Sequence, residues 1–195
     1  MKKNTITIQS LFDTFYNTVY FRWRISPEKK AAKDIVGEEY EKIRSDWYKS
    51  KGFVLGNKKN VFGSGVNTDL VVMKDGVIKI CEEEKGHYVD GTFLKRALID
   101  AATIFNKCLN ENIDPPYFIL SCSTKMKNYN KTFDSVIGLF DEKLKKILKE
   151  KFIYIPLCDH GRVTRDKYFK SEKNSFTLSP KQMELQEEII NKIMR

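Results

Sequence analysis

The stretch from Asp69 to Lys85, DLVVMKDGVIKICEEEK, constrains this chain most. Two runs rich in Val, Ile and Leu flank Lys74-Asp75-Gly76, and Asp-Gly between apolar runs is a strong short-range signal for a tight antiparallel turn. Residues two apart on a strand share a face. The spacing therefore predicts Val77, Lys79, Cys81, Glu83 and Lys85 on one face of the second strand, and Ile78, Ile80, Glu82 and Glu84 on the other. The turn also returns Asp69, at the start of the first strand, to the Glu83 end. Two carboxylates and an ammonium are expected to gather at one edge of a sheet. A register slip of one residue would present Glu82 and Glu84 there instead.

Around this hairpin the apolar periodicity switches between helix and strand. Ile8, Leu11, Phe12, Phe15 and Val19 mark a first helical face. A second helix is better delimited: Ser26 as cap, Pro27 at the first helical position, a stripe through Ala32, Ile35, Val36, Tyr40, Ile43 and Trp47, and Gly52 as stop. Glu39 falls within that stripe. Phe53 to Leu55 reads as a short strand before the hairpin. After it, Phe93, Leu94, Ala97, Leu98, Ala101, Ile104, Phe105 and Cys108 form a wide helical face over Thr92 to Leu109, which Asp114-Pro115-Pro116 breaks. Tyr117 to Leu120 is a buried-type strand. Phe133 to Lys149 reads as one helix, and Phe152 to Leu157 as a last apolar strand. A helix from Ser179-Pro180 to about Met194 closes the chain. A hairpin followed by alternating helix and strand implies a mixed sheet with helices on both faces, in a single domain over 1–195.

The 195 residues carry 35 Lys and Arg against 26 Asp and Glu, a net charge of +9. A basic domain of this kind suits a polyanion, since each neutralised phosphate releases condensed counterions. Cys81, Cys108, Cys122 and Cys158 lack CxxC spacing and the only histidines are His87 and His160, so neither a zinc site nor a disulfide framework is expected. No run approaches the ~20 apolar residues of a membrane span, and polar residues interrupt the N-terminal stretch where a signal peptide would be apolar. The expectation is a cytoplasmic protein with free thiols and no membrane partner.

Asp69, thirteen intervening residues and then Glu83-Glu84-Lys85 resemble the motif of the PD-(D/E)XK nuclease superfamily. Asp69 stands for the first acidic residue, Glu83 for the second and Lys85 for the lysine; Thr68 occupies the position of the proline. The element order from about residue 26 to 157 is similar to that family's αβββαβ core. The resemblance implies a restriction-endonuclease-like fold, with residues 158–195 as a C-terminal DNA-contacting loop and helix. It implies Mg²⁺ held by Asp69 and Glu83, Lys85 assisting the attacking water, and Glu39 as a further ligand. In-line hydrolysis of double-stranded DNA leaving a 5′-phosphate would follow, by a homodimer of the type II restriction kind with a cognate DNA methyltransferase in the same system. Two polar segments are candidates for reading DNA: Lys125, Lys127, Asn128 and Asn130 in the first, Arg162, Arg165 and Lys167 in the second. Lys95 and Arg96 are placed where they could face a phosphate. The alternatives are a structure-selective, repair or transposition nuclease of the same superfamily, and a non-catalytic basic DNA-binding domain.

Overall fold

Asp75 and Gly76 both adopt positive φ, 51° and 76°, the pair of left-handed conformations that a two-residue type I′ turn requires and that matches the twist of the flanking strands. Lys74 pairs directly with Val77, so the loop is Asp-Gly alone. The strands it joins are β2 (Leu70–Lys74) and β3 (Val77–Lys85). Residues 31–85, 90–122, 125–156 and 180–194 are described in this computed structural model. The expected first helix, the Ser26-Pro27 and Ser179 caps, His87, His160 and the 157–179 segment with Arg162, Arg165 and Lys167 lie outside the described residues.

The strict alternation expected along β3 fails at one point. Val72 faces Ile80 but Met73 faces Ile78, which leaves Lys79 as a bulge. The bulge moves Ile78 to the Cys81 side of the sheet, while Ile80 stays on the opposite side. From Ile80 onward the two-residue period holds, and the acidic end keeps its expected faces.

Five strands form one mixed sheet in the order β1-β2-β3-β4-β5, where β1 is Val54–Leu55, β4 Tyr117–Cys122 and β5 Phe152–Pro156. The first three are antiparallel and the last three parallel. Parallel neighbours need long crossovers, here α2 (Gly91–Asn110) between β3 and β4, and the pair α3 (Tyr129–Ile137) and α4 (Glu142–Lys151) between β4 and β5. α1 (Ala31–Ser50) precedes the sheet, and α5 (Pro180–Met194) is the last described element.

The two sheet faces carry separate cores. On one, Tyr40, Ile43, Trp47 and Tyr48 of α1 and Ile189, Ile190 and Ile193 of α5 pack on Leu70, Val72, Ile80, Ile119 and Ile155. On the other, Leu94, Leu98, Ala101 and Phe105 of α2, with Val136, Leu144 and Leu148, cover Val71, Cys81, Phe118 and Leu120. Each large side chain so buried stabilises the fold by roughly 1.5–3 kcal/mol. Asp90 begins α2 by accepting from the Phe93 N–H at 2.9 Å, a capping contact of the usual kind.

The single helix expected over residues 133–149 is two. It breaks at Gly138, and Asp141 caps the second by accepting from the Leu144 N–H at 2.9 Å. The apolar spacing runs unbroken through the break, which hid it. α3 also begins at Tyr129, so Asn130 and Lys131 are helical rather than in a loop. None of the described helices is long and apolar enough to cross a membrane.

Candidate active site at the open end of the hairpin

Asp69 sits one residue before β2, and the ladder positions it. Its N–H donates to the Glu82 carbonyl at 3.0 Å, and its Oδ2 accepts from the Glu84 N–H at 2.7 Å. Thr68, in the place of the motif proline, is buried and donates its hydroxyl to the Leu70 carbonyl at 3.1 Å. Asp69 is thus held across from Glu83 and Lys85, which the pleat turns to the α2 side. Lys85 Nζ lies 3.6 Å from Asp69 Oδ2 and 3.7 Å from Glu83 Oε1. All three side chains are partly accessible, between 17% and 34% exposed. The expected constellation of Asp69, Glu83 and Lys85 is therefore assembled, at the carboxyl end of the parallel strands where open α/β sheets bind ligands.

The electrostatics of this corner are strained toward the anion side. Burial, and then the charge of Asp69, push the Glu83 carboxyl up to about 7, against the pull of Lys85. Two side chains of α2 contribute weakly, Asp100 raising and Arg96 lowering it. Arg96 stands 4.0 Å from Asp100 and is 80% exposed. A carboxylate pair that holds a proton near neutrality also favours a cation in its place.

The opposite face of the same strand is closed. Glu82 accepts a forked pair of hydrogen bonds from Arg44, Nε at 2.7 Å and Nη2 at 3.1 Å. It also accepts from the Tyr48 hydroxyl. Arg44 Nη1 donates to Gln186 of α5, and its guanidinium lies 4.9 Å from the Trp47 ring centroid. Glu82 is committed to this buried cluster beneath α1. Glu84 is also buried, but among the described residues neither carboxylate oxygen has a hydrogen-bond partner. Burial, and then the neighbouring Glu82, hold its carboxyl well above the ordinary range. The slipped register, with Glu82 and Glu84 at the open edge, is not the one adopted.

Glu39 lies on α1, and its side chain is outside the described residues. Glu41, two positions on, accepts from Lys58 Nζ at 2.5 Å. Of the first polar segment, Lys125, Lys127, Asn128 and Asn130 are all exposed. Asn128 takes a left-handed conformation at the start of α3 and its side chain makes no capping bond, leaving the amide to face outward. The Met126 N–H donates to the Tyr154 hydroxyl at 2.5 Å, and Tyr154 stacks on Tyr129 with centroids 4.3 Å apart. A Cβ at Gly91 would touch Thr132 and Met126 at 3.8–3.9 Å, so this segment abuts the first turn of α2. That turn carries Phe93, whose ring centroid is 4.4 Å from Lys85 Nζ. The basic segment and the carboxylate pair therefore lie at the same end of the molecule.

Sequence reasoning missed Lys58, Phe93 and Asp100. Phe93 was legible only as one more apolar position of the helix, because nothing local announces that a lysine from β3 will lie on its ring. Among the described residues no group of three His, Cys, Asp or Glu side chains converges on one point. Neither a protein-family model, nor a curated protein, nor a solved structure matches this chain.

Proposed function

We propose that the chain is a Mg²⁺-dependent endonuclease that hydrolyses phosphodiester bonds of double-stranded DNA at specific sequences, built on a restriction-endonuclease-like αβββαβ core. The observation that carries this reading is the Asp69–Lys85–Glu83 constellation at the carboxyl end of β3, with the ammonium 3.6 and 3.7 Å from the two carboxylates. The order α1, β1, β2, β3, α2, β4 agrees with the core that the motif implies. The net charge of +9 and the exposed Lys125, Lys127, Asn128 and Asn130 beside the site suit a duplex.

The donor set fits Mg²⁺. It is a hard cation that takes oxygen ligands, keeps several waters and is commonly held by one or two carboxylates together with substrate phosphates. Asp69 and Glu83 supply two such carboxylates, and burial, then the Asp69 charge, raise the Glu83 carboxyl against the pull of Lys85. A Mg²⁺ ion bound there would offset charge on the phosphoryl group and lower the pKa of a coordinated water. Lys85 donates toward the attacking water or the charge developing on phosphate oxygen. The backbone N–H of Glu84 keeps Asp69 aimed at the site. Lys125, Lys127, Asn128 and Asn130 contact the DNA, backbone and base edges being divided between cationic and amide groups. Arg162, Arg165 and Lys167 extend that contact, and Glu39 adds a ligand from α1. Two-fold symmetric cleavage of both strands calls for a homodimer, and a sequence-specific nuclease calls for a methyltransferase that protects host DNA.

The test is digestion of several phage and plasmid DNAs with Mg²⁺ or with EDTA. Discrete fragments only with Mg²⁺ are expected. Salt-sensitive DNA binding without cleavage of any substrate would replace this reading with a non-catalytic DNA-binding domain. A smear or branch-selective cutting would move it to a structure-selective nuclease.

A further inference from the structure

The geometry around Lys85 leaves one question open: what holds its ammonium in position. Both carboxylate contacts, at 3.6 and 3.7 Å, exceed the 2.7–3.2 Å of a directed N–H···O hydrogen bond. They attract the charge but do not fix its direction. The lysine stem is long and its rotamer freedom is worth about 2 kcal/mol, and the side chain stands at a partly open edge, 23% exposed. Among the described residues the third neighbour is the Phe93 ring, with its centroid 4.4 Å from Nζ.

Phe93 is itself well fixed. It lies in the first turn of α2, its N–H donates to Asp90 Oδ1 at 2.9 Å, and its ring is half-buried against the core beneath α2. The ring is thus a plate of set position. An aromatic face attracts an ammonium by roughly 0.5–2 kcal/mol, yet carries no net charge and offers no oxygen lone pair. A third carboxylate at this place would hold the lysine too, but it would take one of its N–H donors and repel an incoming phosphate.

We propose that Phe93 is a positioning residue, whose ring face seats the Lys85 ammonium beside Asp69 and Glu83 and leaves its N–H donors free for water and phosphate. This rests on the reading of Lys85 as a catalytic group. The role matters most in the loaded site: carboxylates engaged by a divalent cation attract the ammonium less, whereas the ring contact does not depend on them.

The test compares wild type with Phe93→Leu and Phe93→Tyr. Two readouts are taken: steady-state Mg²⁺-dependent DNA cleavage, and the NMR shift of the Lys85 ε-methylene protons in metal-free protein, assigned by their loss in Lys85→Arg. Protons held over a ring are shifted upfield by its ring current. That shift is expected in wild type and Phe93→Tyr and absent in Phe93→Leu. Phe93→Leu is expected to lower kcat about tenfold, the equivalent of ~1.4 kcal/mol, with KM within about twofold. Phe93→Tyr, which keeps the ring face, restores kcat. An identical Lys85 shift in wild type and Phe93→Leu overturns the proposal whatever the cleavage data. So does an unchanged kcat in Phe93→Leu. If wild type cuts no DNA, the nuclease reading fails, while the methylene shift still decides whether the ring seats Lys85.

Discussion

Glu82 and Glu83 are neighbours in one strand, and a half-turn of the pleat gives them opposite circumstances. Glu82 is fully buried under α1, with Arg44 bidentate on it at 2.7 and 3.1 Å and Tyr48 completing its shell. Glu83 faces α2 at a partly open corner, with a lysine 3.7 Å away and a second carboxylate nearby. The first carboxylate is satisfied and inert, and it joins α1 and α5 to the sheet through Arg44 and Gln186. The second is under-compensated and accessible. A single strand thereby separates a buried, paired anion from a partly accessible one, and pleat alternation costs no extra chain length to do so.

The comparison can be broken first at the open face. Asp69→Ala, Glu83→Ala and Lys85→Ala are each expected to lower Mg²⁺-dependent cleavage by about 10²–10⁴-fold, with denaturant midpoints near wild type. Loss of folding in all three would place these residues with the structural group. At the closed face the order of effects reverses. Arg44→Ala leaves Glu82 buried without its partner and is expected to cost roughly 3–5 kcal/mol in urea unfolding. A loss under 1 kcal/mol would mean that Glu82 is not a structural anion.

A third expectation concerns pH. The Glu83 carboxyl is raised to about 7 in the folded protein, against roughly 4.3 in an unfolded chain. The native state therefore holds this proton longer. Stability is fully present below about pH 4 and declines as pH rises through the window from about 4.3 to 7, by about 3–4 kcal/mol. Urea melts of metal-free protein across that range should show the decline, and Glu83→Gln should flatten it. The smallest effect belongs to Glu84. Its oxygens are buried without hydrogen bonds among the described residues, so Glu84→Leu is expected to raise stability by about 1 kcal/mol, since removing an unsatisfied buried polar group relieves its desolvation penalty. A marked loss of stability would reveal a partner for that carboxyl.

The hairpin was legible because its determinant is local: Asp-Gly fixes the turn and the alternation fixes the faces. The bulge at Lys79 was not, since alternation alone puts Ile78 on the Ile80 face, whereas Ile78 packs with Met73 against the core on the Cys81 side. Which face of β3 would be covered was also hidden, although a trace existed. Tyr40, Arg44 and Tyr48 fall four apart on α1, and an arginine within an apolar stripe signals a buried acid elsewhere. That acid, Glu82, stands thirty-eight residues on, and only the tertiary fold joins them. The break at Gly138 was obscured by apolar residues that kept helical spacing across a turn. Phe93 was visible as a core position but not as a seat for Lys85, because helix periodicity cannot show what approaches from another strand.

The most direct test sets the two faces against each other in one assay: DNA cleavage with Mg²⁺ by wild type, Glu83→Gln and Glu84→Gln, each confirmed folded by urea melts. Neutralising Glu83 should abolish cleavage, while neutralising Glu84 one residue later should leave it at the wild-type rate. Cleavage that survives Glu83→Gln, or that Glu84→Gln abolishes equally, would contradict the assignment of the active face.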